Sequence, residues 1–169
     1  MQTFSIRPLG PQDASDFKAL RLAALRETPE AFGSSYEEEQ LVTVEEWARK
    51  LESCSSRAVL GAWEQGLLVG CAGLMRLGTL KQMHKAVIWG IYVAPAQRRQ
   101  GLGRRLLAAI VAQAGRWDGV RQVLLTVAEG NPAASRLYET LGFTAYGREP
   151  AALCVDGRYL EETLMILRL

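Results

Sequence analysis

The segment Ile91-Tyr92-Val93-Ala94-Pro95-Ala96-Gln97-Arg98-Arg99-Gln100-Gly101-Leu102-Gly103-Arg104 passes from an apolar run through a short basic loop into a helical pattern. Beyond it Leu102, Leu106, Ala109, Ile110 and Ala114 form an apolar stripe opposite Arg104 and Arg105, which predicts a helix over 101–117. A strand feeding such a helix is half of a right-handed crossover, so the strand ending at Val93 is expected to lie parallel to the next one, 122–127. Gly101 and Gly103 allow a ligand to approach the backbone closely. The free N–H groups of the first helical turn, aided by the helix dipole, then offer a phosphate cradle ringed by Arg98, Arg99 and Arg104. The same glycines would equally serve tight strand–helix packing with the arginines in solvent. Two familiar phosphate loops do not fit. A dinucleotide fingerprint needs a third glycine and a later acid, where this chain has Leu106 and, near the acid position, Arg121. A P-loop needs Gly-Lys-Ser/Thr, a tripeptide the chain lacks.

Upstream, residues 58–63, 67–77 and 86–93 are β-rich and separated by turn signals at Gln65-Gly66 and 78–84, which reads as an antiparallel meander. Before the meander, residues 3–8 alternate as a first strand. Gly10-Pro11-Gln12-Asp13 opens a helix whose core positions are Phe17, Leu20, Ala24 and Leu25 and which ends at Thr28-Pro29. A second helix, 43–53, has Thr43 and Glu46 as its capping box. Downstream, 122–127 is a strand and 131–141 a helix opened by Asn131 and Pro132. Residues 143–147 and 163–169 close the sheet, with Asp156-Gly157 as a hairpin turn between them. The order β-α-α-β-β-β-α-β-α-β-β predicts a single α/β domain over 1–169, a mixed central sheet with helices on both faces.

The chain has 169 residues, 49% hydrophobic and 22% charged, an ordinary globular balance long enough to bury a core without disulfides or metal. Its formal charge of +2 is too even for a dedicated nucleic-acid binder. The distribution is uneven, however: residues 1–60 carry seven basic and ten acidic side chains, whereas 80–120 carry seven basic and one acidic. That basic stretch fits a local anion site as readily as a solvated helix face. With one histidine, His84, and three cysteines (Cys54, Cys71, Cys154) in no metal-ligand spacing, neither a zinc site nor a redox pair is expected. No apolar run approaches membrane-span length and the start does not read as a signal peptide, so a cytoplasmic protein without membrane contact is expected.

One strand after the basic loop comes Asn131-Pro-Ala-Ala-Ser-Arg-Leu-Tyr138-Glu-Thr-Leu-Gly142-Phe143. In these two blocks, within residues 86–147, the chain resembles the GNAT acetyltransferase superfamily, whose members move an acetyl group from acetyl-CoA to an amine. The element order outside the block agrees with that fold. The resemblance implies that Ile91, Tyr92 and Val93 lie on the strand that pairs with the pantetheine arm, with the Val93 N–H polarising the thioester carbonyl. It implies a pyrophosphate cradle from Arg98, Arg99, Gln100, Gly101, Leu102, Gly103 and Arg104, cofactor contacts from Asn131 and Ser135, and Tyr138 as the acid that protonates the departing thiolate. Asn131 before Pro132 is also a good helix cap, and Tyr138, seven residues on, shares its helix face and could simply be core.

Direct transfer in a ternary complex needs no covalent intermediate, so the cysteines are read as small hydrophobes rather than nucleophiles. It does need something to accept the amine proton. Many proteins of this kind carry a glutamate five residues before the asparagine, where this chain has Thr126. His84 has a suitable unperturbed pKa. Glu37, Glu38 and Glu39 follow Tyr36 in the region expected to line the acceptor site, and Tyr36, Glu37 and Glu38 are the candidate acceptor contacts. A water chain would need none of these groups. The expected function is acetyl-CoA-dependent acetylation of a primary amine, of a small molecule by preference. The alternatives are a protein or peptide N-acetyltransferase and a non-catalytic acyl-CoA-binding module. An exposed strand edge leaves room for a homodimer.

Overall fold

Helix α4 (Leu102–Gly115) buries Leu102, Leu106, Leu107, Ile110 and Ala114, the stripe its sequence announces, against one face of a sheet. In this computed structural model, which describes residues 4–169, the sheet has seven strands. They are β1 (Ser5–Pro8), β2 (Arg57–Glu64), β3 (Leu67–Arg76), β4 (Lys85–Val93), β5 (Gln122–Ala128), β6 (Thr144–Val155) and β7 (Arg158–Arg168). Their order is β1-β2-β3-β4-β5-β7-β6, antiparallel throughout except for the parallel β4–β5 pair that α4 connects. The expected crossover is therefore present. Among the described residues no helix is long and apolar enough to cross a membrane.

Alternation along the strands divides two cores. Ala58, Leu60 and Ala62 of β2 face α4, together with Leu74 of β3, Ile88 of β4 and Val123 of β5. Val59 of β2, Cys71 of β3 and Tyr92 of β4 point to the other face. There they meet α1 (Ala14–Glu27) and α3 (Val44–Leu51), where Phe17 and Trp47 pack edge-on with ring centroids 5.0 Å apart. The Thr43–Glu46 capping box starts α3 as its sequence predicts. Helix α5 (Pro132–Glu139) lies on the α4 side.

Two elements differ from the sequence reading. Residues 36–39, which fall between the first two predicted helices, form the one-turn helix α2 (Tyr36–Glu39), opened by a second capping box between Ser35 and Glu38. The closing strands are also far longer than 143–147 and 163–169. Pro150 and a left-handed Ala151 (φ 52°) break the register between Glu149 and Leu153, which hides the continuation of β6 from any alternation pattern. Pairing resumes at Leu153–Leu160 and closes on Asp156-Gly157, both at positive φ as a tight primed turn requires. Within the predicted first strand, Thr3 lies outside the described residues and β1 begins at Ser5.

Candidate active site

Strands β4 and β5 are paired only at their starts, from Lys85–Gln122 to Val87–Leu124, yet run on to Val93 and Ala128. Their outer halves diverge. The cause lies in β4: between Trp89 and Tyr92 it carries one residue more than the facing stretch Gly73 to Cys71 of β3, a bulge absorbed by Gly90 at φ +62°. The result is a cleft of roughly 1250 Å³ between the strands, floored by Ile88 to Val93 on one side and Leu125 to Ala128 on the other. That is more than one drug-sized ligand fills.

At the mouth of this cleft one backbone N–H is placed by the ladder itself. Ala94 N–H bonds to Val69 C=O of β3 at 2.8 Å. Alternation in an antiparallel pair then turns the main-chain groups of Val93 to the opposite edge, into the gap. The Val93 carbonyl is capped there by Arg98 Nε at 2.8 Å, which leaves the N–H as the group free to meet a ligand.

The basic loop continues from this point. Arg99 is held at φ +62° and Gly101 at φ +76°, and the left-handed Gly101 running into the right-handed first turn of α4 makes a concavity of amide N–H groups suited to an anion. Gly103 also lines the cleft. A Cβ built there would come no closer than 3.5 Å to Leu137, an ordinary contact, so the fold does not demand glycine at 103 and the open space is the cleft itself. Arg99, Gly101, Leu102, Gly103 and Arg104 all line the cavity, and Arg99 and Arg104 enter no ion pair among the described residues. Arg98 lines it too, but its guanidinium is engaged at 2.9 Å with Glu27, which also accepts from the Tyr92 hydroxyl at 2.6 Å. Burial opposes the ionisation of Glu27, and these two bonds outweigh it, so the carboxyl sits below the usual range. Arg98 thus braces the loop against α1, and the Tyr92 ring is buried on the α1 side of the sheet with its hydroxyl held by Glu27. Gln100 faces away from the cleft and donates to Ala96 C=O.

From the other wall come Asn131 and Tyr138. Asn131 caps α5, its Oδ1 accepting from Ala134 N–H at 3.1 Å, while it also lines the cleft. Ser135 donates back to the Asn131 carbonyl and does not line it. Tyr138 is buried, lines the cleft, and has no hydrogen-bond partner for its hydroxyl among the described residues. Burial pushes that hydroxyl up to about 12, so it holds its proton at any physiological pH. None of the three cysteines lines the cleft, and burial raises the Cys71 thiol to about 12.

The structure places the expected acceptor residues outside the lining of the cleft. His84 precedes β4 at the far end of the strand, nine residues from Val93 and so about 30 Å from it. Its carbonyl receives Arg121 and Gln122 N–H, and its imidazole does not line the cleft. Glu38 is consumed by the α2 cap, where the Ser35 N–H and hydroxyl hold its carboxyl below the usual range. Tyr36 pairs with Arg26, whose guanidinium lies 4.0 Å from the ring centroid, and neither Tyr36 nor Glu37 lines the cleft. From the stretch between α1 and α2 it is instead Glu30, Ala31, Phe32, Gly33 and Ser34 that line the cleft. Glu39 points inward and holds Arg21 through two bonds of 2.7 and 2.9 Å. Removing one partner of so buried a pair costs about 3–5 kcal/mol, which makes Glu39 structural.

A carboxylate that the sequence reading passed over does reach the cleft. Glu162 of β7 pairs with Ala128 of β5, and its Oε1 accepts from the Thr126 hydroxyl at 3.2 Å. Burial raises its pKa, the Thr126 bond partly offsets this, and Glu149 adds to the rise. Thr126, the position without the expected acid, thus orients an acid from the neighbouring strand. No local signal marks Glu162, since its role depends on β7 inserting beside β5. The bulge at Gly90, by contrast, was legible as a lone glycine inside a strand.

Residues 19–143 match the model of the acetyltransferase (GNAT) family. The chain belongs to that family. It is 32% identical over 111 residues to the L-methionine sulfoximine/L-methionine sulfone acetyltransferase of Salmonella typhimurium, and 30% identical to the L-amino acid N-acyltransferase MnaT of Escherichia coli. Each match spans 66% of this chain and 64% of the relative. The structure of yncA from Salmonella typhimurium with its cofactor acetyl-CoA superposes with a TM-score of 0.86 at 25% identity, covering 99% of this chain and 94% of that one.

Proposed function

We propose that this protein transfers an acetyl group from acetyl-CoA to the primary amine of a small molecule, directly, within one ternary complex. The observation that carries the reading is the unpaired gap between β4 and β5, with the Val93 N–H turned into it beside the Gly101–Gly103 cradle. Those residues fit the cofactor: a strand edge for the pantetheine amides, N–H groups and arginines for the pyrophosphate, and an open site at Gly103 where a side chain would intrude. Bound there, acetyl-CoA supplies an acetyl group activated as a thioester. The Val93 N–H donates where negative charge develops on the acyl oxygen. Glu162, with its raised pKa, accepts the proton that the ammonium form of the acceptor must lose. Tyr138 keeps a proton at its hydroxyl, ready for the leaving sulfur. The two named relatives, which act on amino acids and their analogues, support a small-molecule acceptor. The test is CoA release over a panel of small amines, with labelled acetyl-CoA and cell lysate as the competing acceptor source. Amine-dependent release with unlabelled polypeptide is expected. Label appearing in polypeptide alone would overturn the small-molecule reading, and no release at all would overturn catalysis.

A further inference from the structure

Beyond the bulge at Gly90 the end of β4 has a ladder on one side only. β3 holds it there through the bond from Ala94 N–H to Val69 C=O, whereas β5 pairs with β4 only as far as Val87. The Val93 carbonyl therefore lacks the strand donor that a complete sheet would give it. A side chain supplies that donor instead, Arg98 Nε reaching the carbonyl at 2.8 Å. Arg98 is held in turn from behind: its Nη2 donates to Glu27 at 2.9 Å, and the same Glu27 oxygen accepts from the Tyr92 hydroxyl at 2.6 Å. The Val93 N–H belongs to the peptide unit that joins Tyr92 to Val93. One carboxylate oxygen thus anchors both residues flanking that N–H, Tyr92 directly and Val93 through Arg98.

Neither the helix nor the stability of the fold asks for an acid at 27. Glu27 is the last residue of α1, where the negative end of the helix dipole disfavours a carboxylate. Both partners of its pair with Arg98 stay open to water, 32% and 41% exposed, and such pairs add little to stability. We infer that Glu27 is a positioning residue, which acts through Tyr92 and Arg98 to hold the Val93 N–H in the direction of the acyl oxygen. The carboxylate replaces the missing neighbour strand: it fixes a donor where the open cleft leaves no ladder to do so. A donor whose direction is set before the reaction stabilises developing charge without reorganising, and a small misplacement costs rate rather than binding.

This inference rests on the acetyltransferase reading, and its first test needs no acceptor. The intact native protein, Glu27→Ala and Glu27→Gln are each titrated with acetyl-CoA labelled at the thioester carbonyl, and infrared difference spectroscopy reads the stretch of the bound carbonyl. A hydrogen bond to the acyl oxygen lowers that frequency. The native protein should lower it relative to free acetyl-CoA. Glu27→Ala should lose most of the shift while its Kd for acetyl-CoA stays within about twofold of native. Glu27→Gln keeps an acceptor oxygen at the same reach and should fall between the two. In CoA release with the fastest amine of the panel, kcat of Glu27→Ala should drop about tenfold, less than the loss of an oxyanion donor outright. A native carbonyl shift in both variants, or a loss of acetyl-CoA affinity with kcat retained, would overturn the positioning role and leave the acetyltransferase reading standing. So would a native protein that turns over yet binds acetyl-CoA with no carbonyl shift. No CoA release with any amine would overturn that reading, and the positioning role with it.

Discussion

Tyr138 shows how environment selects a role for a single side chain. Its ring fills the core beside Phe143, centroids 6.2 Å apart, so the residue would be explicable as packing. Its hydroxyl is the part that packing does not explain. Tyr138→Phe keeps the packing and removes only the proton donor. The expected result is a fall in kcat of about 100-fold with acetyl-CoA affinity unchanged, read by steady-state kinetics and equilibrium titration. Turnover at the native rate would end the general-acid assignment. Glu162 makes the opposite demand, since a base must first lose its own proton. With its pKa raised by burial, activity should climb with pH through an ionisation above the ordinary glutamate value and fall as the pH drops below it. Glu162→Gln should lower kcat/KM and erase that acidic limb. A limb that persists in the variant assigns the ionisation to another group.

At the scale of elements, the N-terminus of α4 combines two properties that substitution can separate. An aspartate in the first turn favours the helix through its dipole, and at 103 its Cβ meets nothing closer than 3.5 Å. The same charge opposes an anion in the cradle. Gly103→Asp is therefore expected to leave the melting temperature of the free protein unchanged or slightly higher, while abolishing the rise that acetyl-CoA produces in the native protein. A folded variant that is still stabilised by acetyl-CoA would contradict the phosphate assignment. Elements of this kind were the most readable in the chain, because α4, α3 and the β4 strand declare themselves by periodicity and caps within a dozen residues. The β6–β7 hairpin was read only in part. Its turn residues are local, but its long arms are joined across a register break at Pro150 that no alternation rule spans.

On the scale of the whole molecule, the sheet order decides which polar groups share a cleft. Placing β7 between β5 and β6 brings Glu162 to Thr126, 36 residues away in sequence. Packing α1 against the far face of the sheet carries Arg21 under the Gly90 bulge, while α2 turns Glu39 inward and spends Glu38 on a cap. His84 illustrates the converse, for it is close in sequence to the cleft strand but at its wrong end. The succession of strands, the parallel crossover, the basic glycine loop and the Asn131–Tyr138 helix follow from the amino-acid sequence alone, because each is encoded by spacing within one or two adjacent elements. Which carboxylate reaches the cleft and which buried cation keeps an unpaired N–H are set only in the folded chain. Those properties arise from contacts between strands and helices far apart in the chain, where burial and partner choice, rather than residue type, set the chemistry.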